Sequence, residues 1–240
     1  LRAAARVVAL WSGSARTLER DFGVPARKLS VIPNGVPPQR FPLAEPDAIR
    51  GARAALDLDP NRPVVTSIGA LVPEKGVDLA IEAVAGLDGV QLLVVGDGPQ
   101  RRTLEAVAAE HAPGRVVFTG SLADPRPALA AADVVVLPSR GGDSMPAVLI
   151  EAGLTGVPVV STPVEGIPDI VRPGRTGELV GIDDPEGLRR AVGGLLADPK
   201  RARRLGAAAR RWCERRYAID VVAADWDGTL RAAAADRSAR

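Results

Sequence analysis

Three side chains of this 240-residue chain have both the type and the setting to do chemistry: Lys75, Asp143 and Glu151. Glu151 is the one charge in an apolar helix predicted over 146–155, where Ala147, Val148, Leu149, Ile150, Ala152 and Leu154 leave almost no polar face. A buried carboxylate without partners is costly or gives up its charge. An internal ion pair, an exposed helix edge or a ligand bearing hydroxyl donors would each satisfy it, and the helix start favours the ligand. Ser144 is placed there as N-cap and Pro146 in the first turn. Unpaired N–H groups at such a start attract an anion, typically a phosphate. Glu151 follows about a turn and a half later, roughly 7 Å at 1.5 Å per residue. A diphosphate at the helix start would therefore bring a ribose near Glu151, and carboxylates accept from ribose hydroxyls in nucleotide sites.

These residues must be positioned by an alternation of elements that begins near residue 63. Strands are predicted at 64–67, 91–95, 116–119, 134–137, 157–161 and 178–180, with helices at 77–87, 100–111, 125–132, 146–155, 167–172 and 185–197. Val-rich strands joined by helical crossovers imply an α/β fold, a Rossmann-like doubly wound parallel sheet with terminal helices. In the strand order 3-2-1-4-5-6, ligands bind beyond the carboxyl ends of strands one and four. The loop after strand one carries Gly69, Ala70 and Lys75; the loop after strand four carries Ser139, Arg140, Asp143, Ser144 and Met145. Lys75 can neutralise a diphosphate as a point charge. At a helix start a lysine is otherwise disfavoured by the helix dipole.

Upstream, an apolar segment at 7–11 and a helix at 14–22 precede residues 31–47. That stretch holds five prolines and Asn34-Gly35, and reads as a linker at a domain boundary, followed by a helix at 47–57. Downstream, helices at 200–216 and 218–234 each carry one apolar stripe. The opposite face of the first is arginine-rich, suited to solvent or to anionic lipid. The last residues, 236–240, are expected to fray.

Composition narrows the function classes. With 46% hydrophobic residues the chain can bury a full core, and no apolar run is long enough for a membrane span. Cys213 is the single cysteine and His111, read as a surface residue, the single histidine, which leaves out an internal disulfide, a Cys-based metal site and a Ser-His-Asp triad. A net charge of +2 gives no nucleic-acid surface. The turn Gly96-Asp97-Gly98-Pro99 is not a dinucleotide fingerprint, because Arg101 stands where the third glycine belongs. A reducing cytoplasmic setting is expected, with peripheral contact at the inner membrane face. The missing initiator Met suggests a piece of something longer.

The motifs SVIPNGV, SIGALVPEKGVDLAIEA, LLVVGDGP, VVFTG, AADVVVLPS, the D-x7-E spacing ending in EAGLTGVPVV, and GIPDIVRPGRTGELV together resemble the C-terminal half of family-4 retaining glycosyltransferases of GT-B fold. The resemblance implies a donor-binding domain for a nucleotide-diphosphate sugar (UDP-, GDP- or ADP-linked), with no essential metal or other cofactor, and an N-terminal acceptor domain that is absent. It implies that residues 1–35 are the tail of that domain plus linker, 36–216 the donor domain, and 217–240 a helix crossing back. By resemblance Lys75 meets the diphosphate and Glu151 the ribose. Asp143 stands near the sugar and the reacting carbon, Ser144, Met145 and Pro146 form the turn whose amides meet phosphate and sugar, and Phe118 and Thr119 lie beside the base. Gly69 and Ser139 border the site. The chain departs from the pattern at Ala70, where arginine is frequent and Arg140 is the candidate substitute. It also has Asp143 in place of glutamate and Glu165 in place of glycine. A non-catalytic nucleotide-sugar binding module or partner subunit is the competing reading, and a sugar-nucleotide epimerase a third.

Overall fold

Alternation along the strands builds the core. In a computed structural model, which describes residues 4–238, the strands β3 (Val64–Ile68), β4 (Gln91–Val95), β5 (Val116–Gly120), β6 (Val134–Leu137), β7 (Val159–Ser161) and β8 (Glu178–Leu179) form one parallel sheet in the order β5-β4-β3-β6-β7-β8. This is the 3-2-1-4-5-6 order expected from the sequence. Successive side chains point to opposite faces of a strand. Val65, Leu92, Val94, Val134, Val136 and Val160 therefore share one face, beneath α3 (Val77–Ala85), α4 (Arg101–His111) and α8 (Pro185–Ala197). Val135, Leu137 and Val159 face α6 (Ala147–Leu154), α7 (Ile167–Ile170) and α9 (Pro199–Tyr217), and Val64, Leu93 and Val95 face α5 (Arg126–Ala131). With both faces covered, the central strands β3, β4 and β6 are buried almost throughout and are mostly apolar, without a polar face.

A second, two-stranded parallel sheet joins β1 (Val7–Ala9) to β2 (Leu29–Val31) around α1 (Ser12–Phe22). The last helix, α10 (Ile219–Ser238), runs back to it: Thr229 Oγ1 donates to Ser30 Oγ at 3.1 Å, and Arg6 pairs with Asp236 at 3.3 Å. Its stripe is only part covered, with Val222 buried while Trp226 and Leu230 are 42% and 61% exposed. The helix continues through the first residues of the segment expected to fray, and residues 239–240 lie outside the described residues.

The segment 31–47, read as a linker, is packed and not loose. Ile32, Val36 and Phe41 are buried, and Val36 N and O bond to Tyr217 O and Ile219 N at 2.8 and 3.1 Å. Pro33, Pro37 and Pro42 stiffen the docked backbone, Pro38 opens a single helical turn, and Pro46 is the first residue of α2 (Pro46–Ala55). Cys213 packs against α6, and burial pushes its thiol up to about 12, so it is an inert core residue.

Candidate functional site

The carboxyl ends of β3 and β6 lie side by side, and their loops meet there. Lys75, in a single helical turn (Pro73–Lys75) just before α3, lies over Gly69 and reaches across to Asp143. Its Nζ donates to Asp143 Oδ1, while the hydroxyl of Ser139 donates to Asp143 Oδ2. Asp143 is 4% exposed and Lys75 21%. The Ser139 carbonyl in turn accepts from Thr162 Oγ1 at 2.5 Å, which ties the loop to the end of β7. Residues 68 positions apart in sequence thus form a charge-assisted pair at the predicted crevice.

The start of α6 differs from expectation in one respect. The helix begins at Ala147 with Pro146 as N-cap and no side-chain cap, so Ser144 is not the cap. Its hydroxyl donates to Glu165 Oε2 at 2.8 Å, and the N–H of Gly142 donates to Glu165 Oε1 at 3.0 Å. The first N–H groups of α6 stay without a side-chain acceptor, as an anion site requires. Met145 is buried under them, and its carbonyl accepts from Asn34 Nδ2 at 2.8 Å. Asn34 is a contact to the site that reading 31–47 as linker overlooked, although its motif was visible.

Glu151 sits further along α6, half-buried between wholly buried neighbours. No hydrogen bond or ion pair joins its carboxylate to another described side chain. Burial raises its pKa above the usual 4.5, opposed by the charge of Arg40 and helped by Asp124. Internal ion pairing thus does not satisfy this carboxylate, which leaves solvent or a ligand.

Arg140 does not substitute for the cation missing at Ala70. Its guanidinium forks onto both oxygens of Asp78 at 2.8 and 2.7 Å and also donates to Asp183 at 2.5 Å and the Pro73 carbonyl at 3.0 Å. Burial works against the Asp78 carboxylate, yet the Arg140 fork wins and holds it below the usual range. Arg140 is a brace between the two loops. Phe118 and Thr119 lie on the edge strand β5. The Phe118 side chain packs beside α4, and the Thr119 hydroxyl donates to the Gly120 carbonyl at 2.8 Å. Neither side chain joins the Lys75–Asp143 cluster.

An open parallel sheet that reverses its strand order beside a lysine, a helix start lacking a side-chain cap and an unpaired carboxylate defines a doubly wound α/β domain with its crevice at the switch point, where ligands bind in such sheets. Residues 62–198 match the family described as glycosyl transferases group 1, and the chain belongs to that family. It is 40% identical over 208 residues to a GDP-mannose-dependent alpha-(1-6)-phosphatidylinositol monomannoside mannosyltransferase of Mycolicibacterium smegmatis, covering 80% of this chain and 53% of that protein. It is 44% identical over 147 residues to the lipopolysaccharide core biosynthesis glycosyltransferase LpsE of Rhizobium meliloti, covering 61% of this chain and 43% of that protein. Among solved structures, Anabaena Alr3699/HepE in complex with UDP superposes with a TM-score of 0.90 at 25% identity, covering 96% of this chain and 64% of that one. The chain spans about half the length of the curated relatives it matches. The fold is that of GT-B glycosyltransferases. Among the described residues, no helix is long and apolar enough to cross a membrane.

Proposed function

We propose that this chain is the donor-binding half of a retaining glycosyltransferase, completed by an acceptor domain outside the present sequence. The observation that carries this reading is the meeting of Lys75 and Asp143 across the crevice at the start of α6. A nucleoside diphosphate sugar binds with its phosphates at that helix start, where Lys75 supplies the positive charge and no metal held by this chain is needed. Asp143 then exchanges its contact with Lys75 for the donor sugar, and Glu151 accepts from the ribose hydroxyls. The base lies along the backbone after β5. The full enzyme moves the sugar to its acceptor with the anomeric configuration retained. Residues 1–35 and 217–240 form the junction with the acceptor domain, supported by the half-covered stripe of α10.

A binding module without transfer is the second reading, favoured by Asp143 having both oxygens already engaged and by Ala70. Transfer by this chain joined to an acceptor domain separates the two.

Calorimetric titration with UDP, GDP and ADP, each beside its monophosphate, tests the site; relatives named for GDP-mannose and a UDP complex make the first two the leading probes. One diphosphate should bind at micromolar affinity and more tightly than its monophosphate. Glu151→Gln should lower that affinity about tenfold while raising stability at neutral pH. The sign follows from the raised pKa. Glu151 favours the folded state below its ordinary value of 4.5, and that contribution is lost as pH rises through the raised value. A glutamine variant that binds as tightly as the parent contradicts the ribose role.

The chain also presents a surface for peripheral membrane contact. Lys200, Arg203, Arg204, Arg211 and Arg215 are exposed on one side of α9 and make no ion pair with a described residue. They form a cationic row about 22 Å long. Such a row should hold vesicles containing anionic phospholipid and not phosphatidylcholine alone. Replacing Arg204, Arg211 and Arg215 together by Ala should weaken co-sedimentation about a hundredfold. Unchanged sedimentation would mean that the row is solvated only.

A further inference from the structure

Glu165 is an acidic residue of the site region that the proposed reaction does not use, and its carboxylate grips the loop of Asp143 directly. It lies in the turn after β7 with φ of 45°, a left-handed conformation that non-glycine residues rarely adopt. Its carboxylate accepts from Gly142 N at 3.0 Å and from Ser144 Oγ at 2.8 Å, the residues on either side of Asp143. The next residue, Gly166, is pressed so tightly onto the same loop that a Cβ there would stand 1.8 Å from the Ser144 carbonyl oxygen. Two contacts from one carboxylate and a backbone abutment therefore grip the loop at 142–144. The residue gripped between them is buried Asp143, whose own oxygens are aimed by Lys75 and Ser139.

We propose that Glu165 is a positioning residue for the donor sugar: it clasps the loop on both sides of Asp143 and fixes the direction in which Asp143 meets the sugar. This rests on the donor-site reading above. The physical argument is one of preorganisation. Gly142 itself has φ of 71°, so the loop has a conformational choice to lose. A bridging carboxylate that satisfies both flanking donors removes that choice before the donor arrives. The strain at Glu165 is offset by two hydrogen bonds to an ionised acceptor. Because the clasp acts through Asp143, it should tune the sugar and leave the diphosphate, held by Lys75 and the start of α6, nearly untouched.

The test compares UDP with UDP-glucose and GDP with GDP-mannose on this chain by calorimetry, with thermal denaturation alongside. Glu165→Ala should weaken the nucleotide sugar about tenfold and the bare diphosphate less than about twofold. Glu165→Gln should stay near the parent, since its Oε1 still accepts from Gly142 and its amide can donate to the Ser144 hydroxyl. In an Asp143→Ala background, Glu165→Ala should have no further effect on the ratio of the two affinities. Equal losses on sugar and diphosphate, or an undiminished effect without Asp143, would overturn the clasp while leaving the donor site standing. Absence of binding to every nucleotide by the parent chain would overturn the donor site and the clasp with it.

Discussion

Lys75→Ala is expected to weaken binding of a nucleoside diphosphate about a hundredfold and to destabilise the chain by about 2–3 kcal/mol. The two losses have one origin. Lys75 is the only cation paired with Asp143 among the described residues, and Asp143 is buried with Ser139 as its other partner. Truncating the lysine leaves a carboxylate out of water with one hydroxyl donor, which is the costly way to break such a pair. The figure sits below that of a wholly buried pair because Lys75 keeps some contact with solvent. The same truncation turns Asp143 into an unneutralised negative charge beside the phosphates. Removing both partners should therefore recover stability without recovering affinity. Chemical denaturation and calorimetry of Lys75→Ala and of Lys75→Ala combined with Asp143→Ala would show this. A single variant that binds the diphosphate like the parent would remove Lys75 from the donor site.

Gly206→Val should destabilise the chain by about 3 kcal/mol or more, lowering Tm by about 6–12 °C. A Cβ at Gly206 would stand 1.9 Å from the carbonyl oxygen of Gly156, a backbone atom with no rotamer to yield. Nearby, a Cβ at Gly153 would meet Cys213 Sγ at 2.6 Å, so glycine on each helix lets α6 and α9 pack in close contact. Because α6 carries Glu151, forcing the helices apart should also weaken nucleotide binding. The control is Gly51→Ala on α2, where nothing lies within 4 Å. It should stabilise by about 0.5–1 kcal/mol, through the entropy of the unfolded chain alone. If Gly206→Val melts like the parent, the helix contact is looser than the structure shows.

Much of the fold was legible because its determinants are local. Val64–Ile68, Gln91–Val95 and Val134–Leu137 announce buried strands by short Val- and Leu-rich runs, and right-handed crossovers leave few sheet orders to choose among. That topology is enough to bring the loops of Lys75 and Asp143 together, so the crevice followed from residue pattern alone. Glu151 was conspicuous for a similar reason, as a charge in a helix with no polar face. The partners that complete the site were not legible, since they depend on where side chains from distant loops arrive. Nothing local distinguishes Arg140 as a brace to Asp78 and Asp183 from Arg140 as a free phosphate ligand. Ser144 has the type of an N-cap, yet Glu165, 21 residues on, takes its hydroxyl and leaves Pro146 at the N-cap of a helix that begins at Ala147. Five prolines and an Asn-Gly pair look like a linker, and nothing local in them shows that Val36 bridges to Ala218 or that Asn34 reaches Met145. Periodicity and composition act over a few residues and determine which elements form and how they stack. Hydrogen-bond and ion-pair partners are chosen by competition among all groups that the finished fold brings within about 3 Å, and that competition exists only in three dimensions.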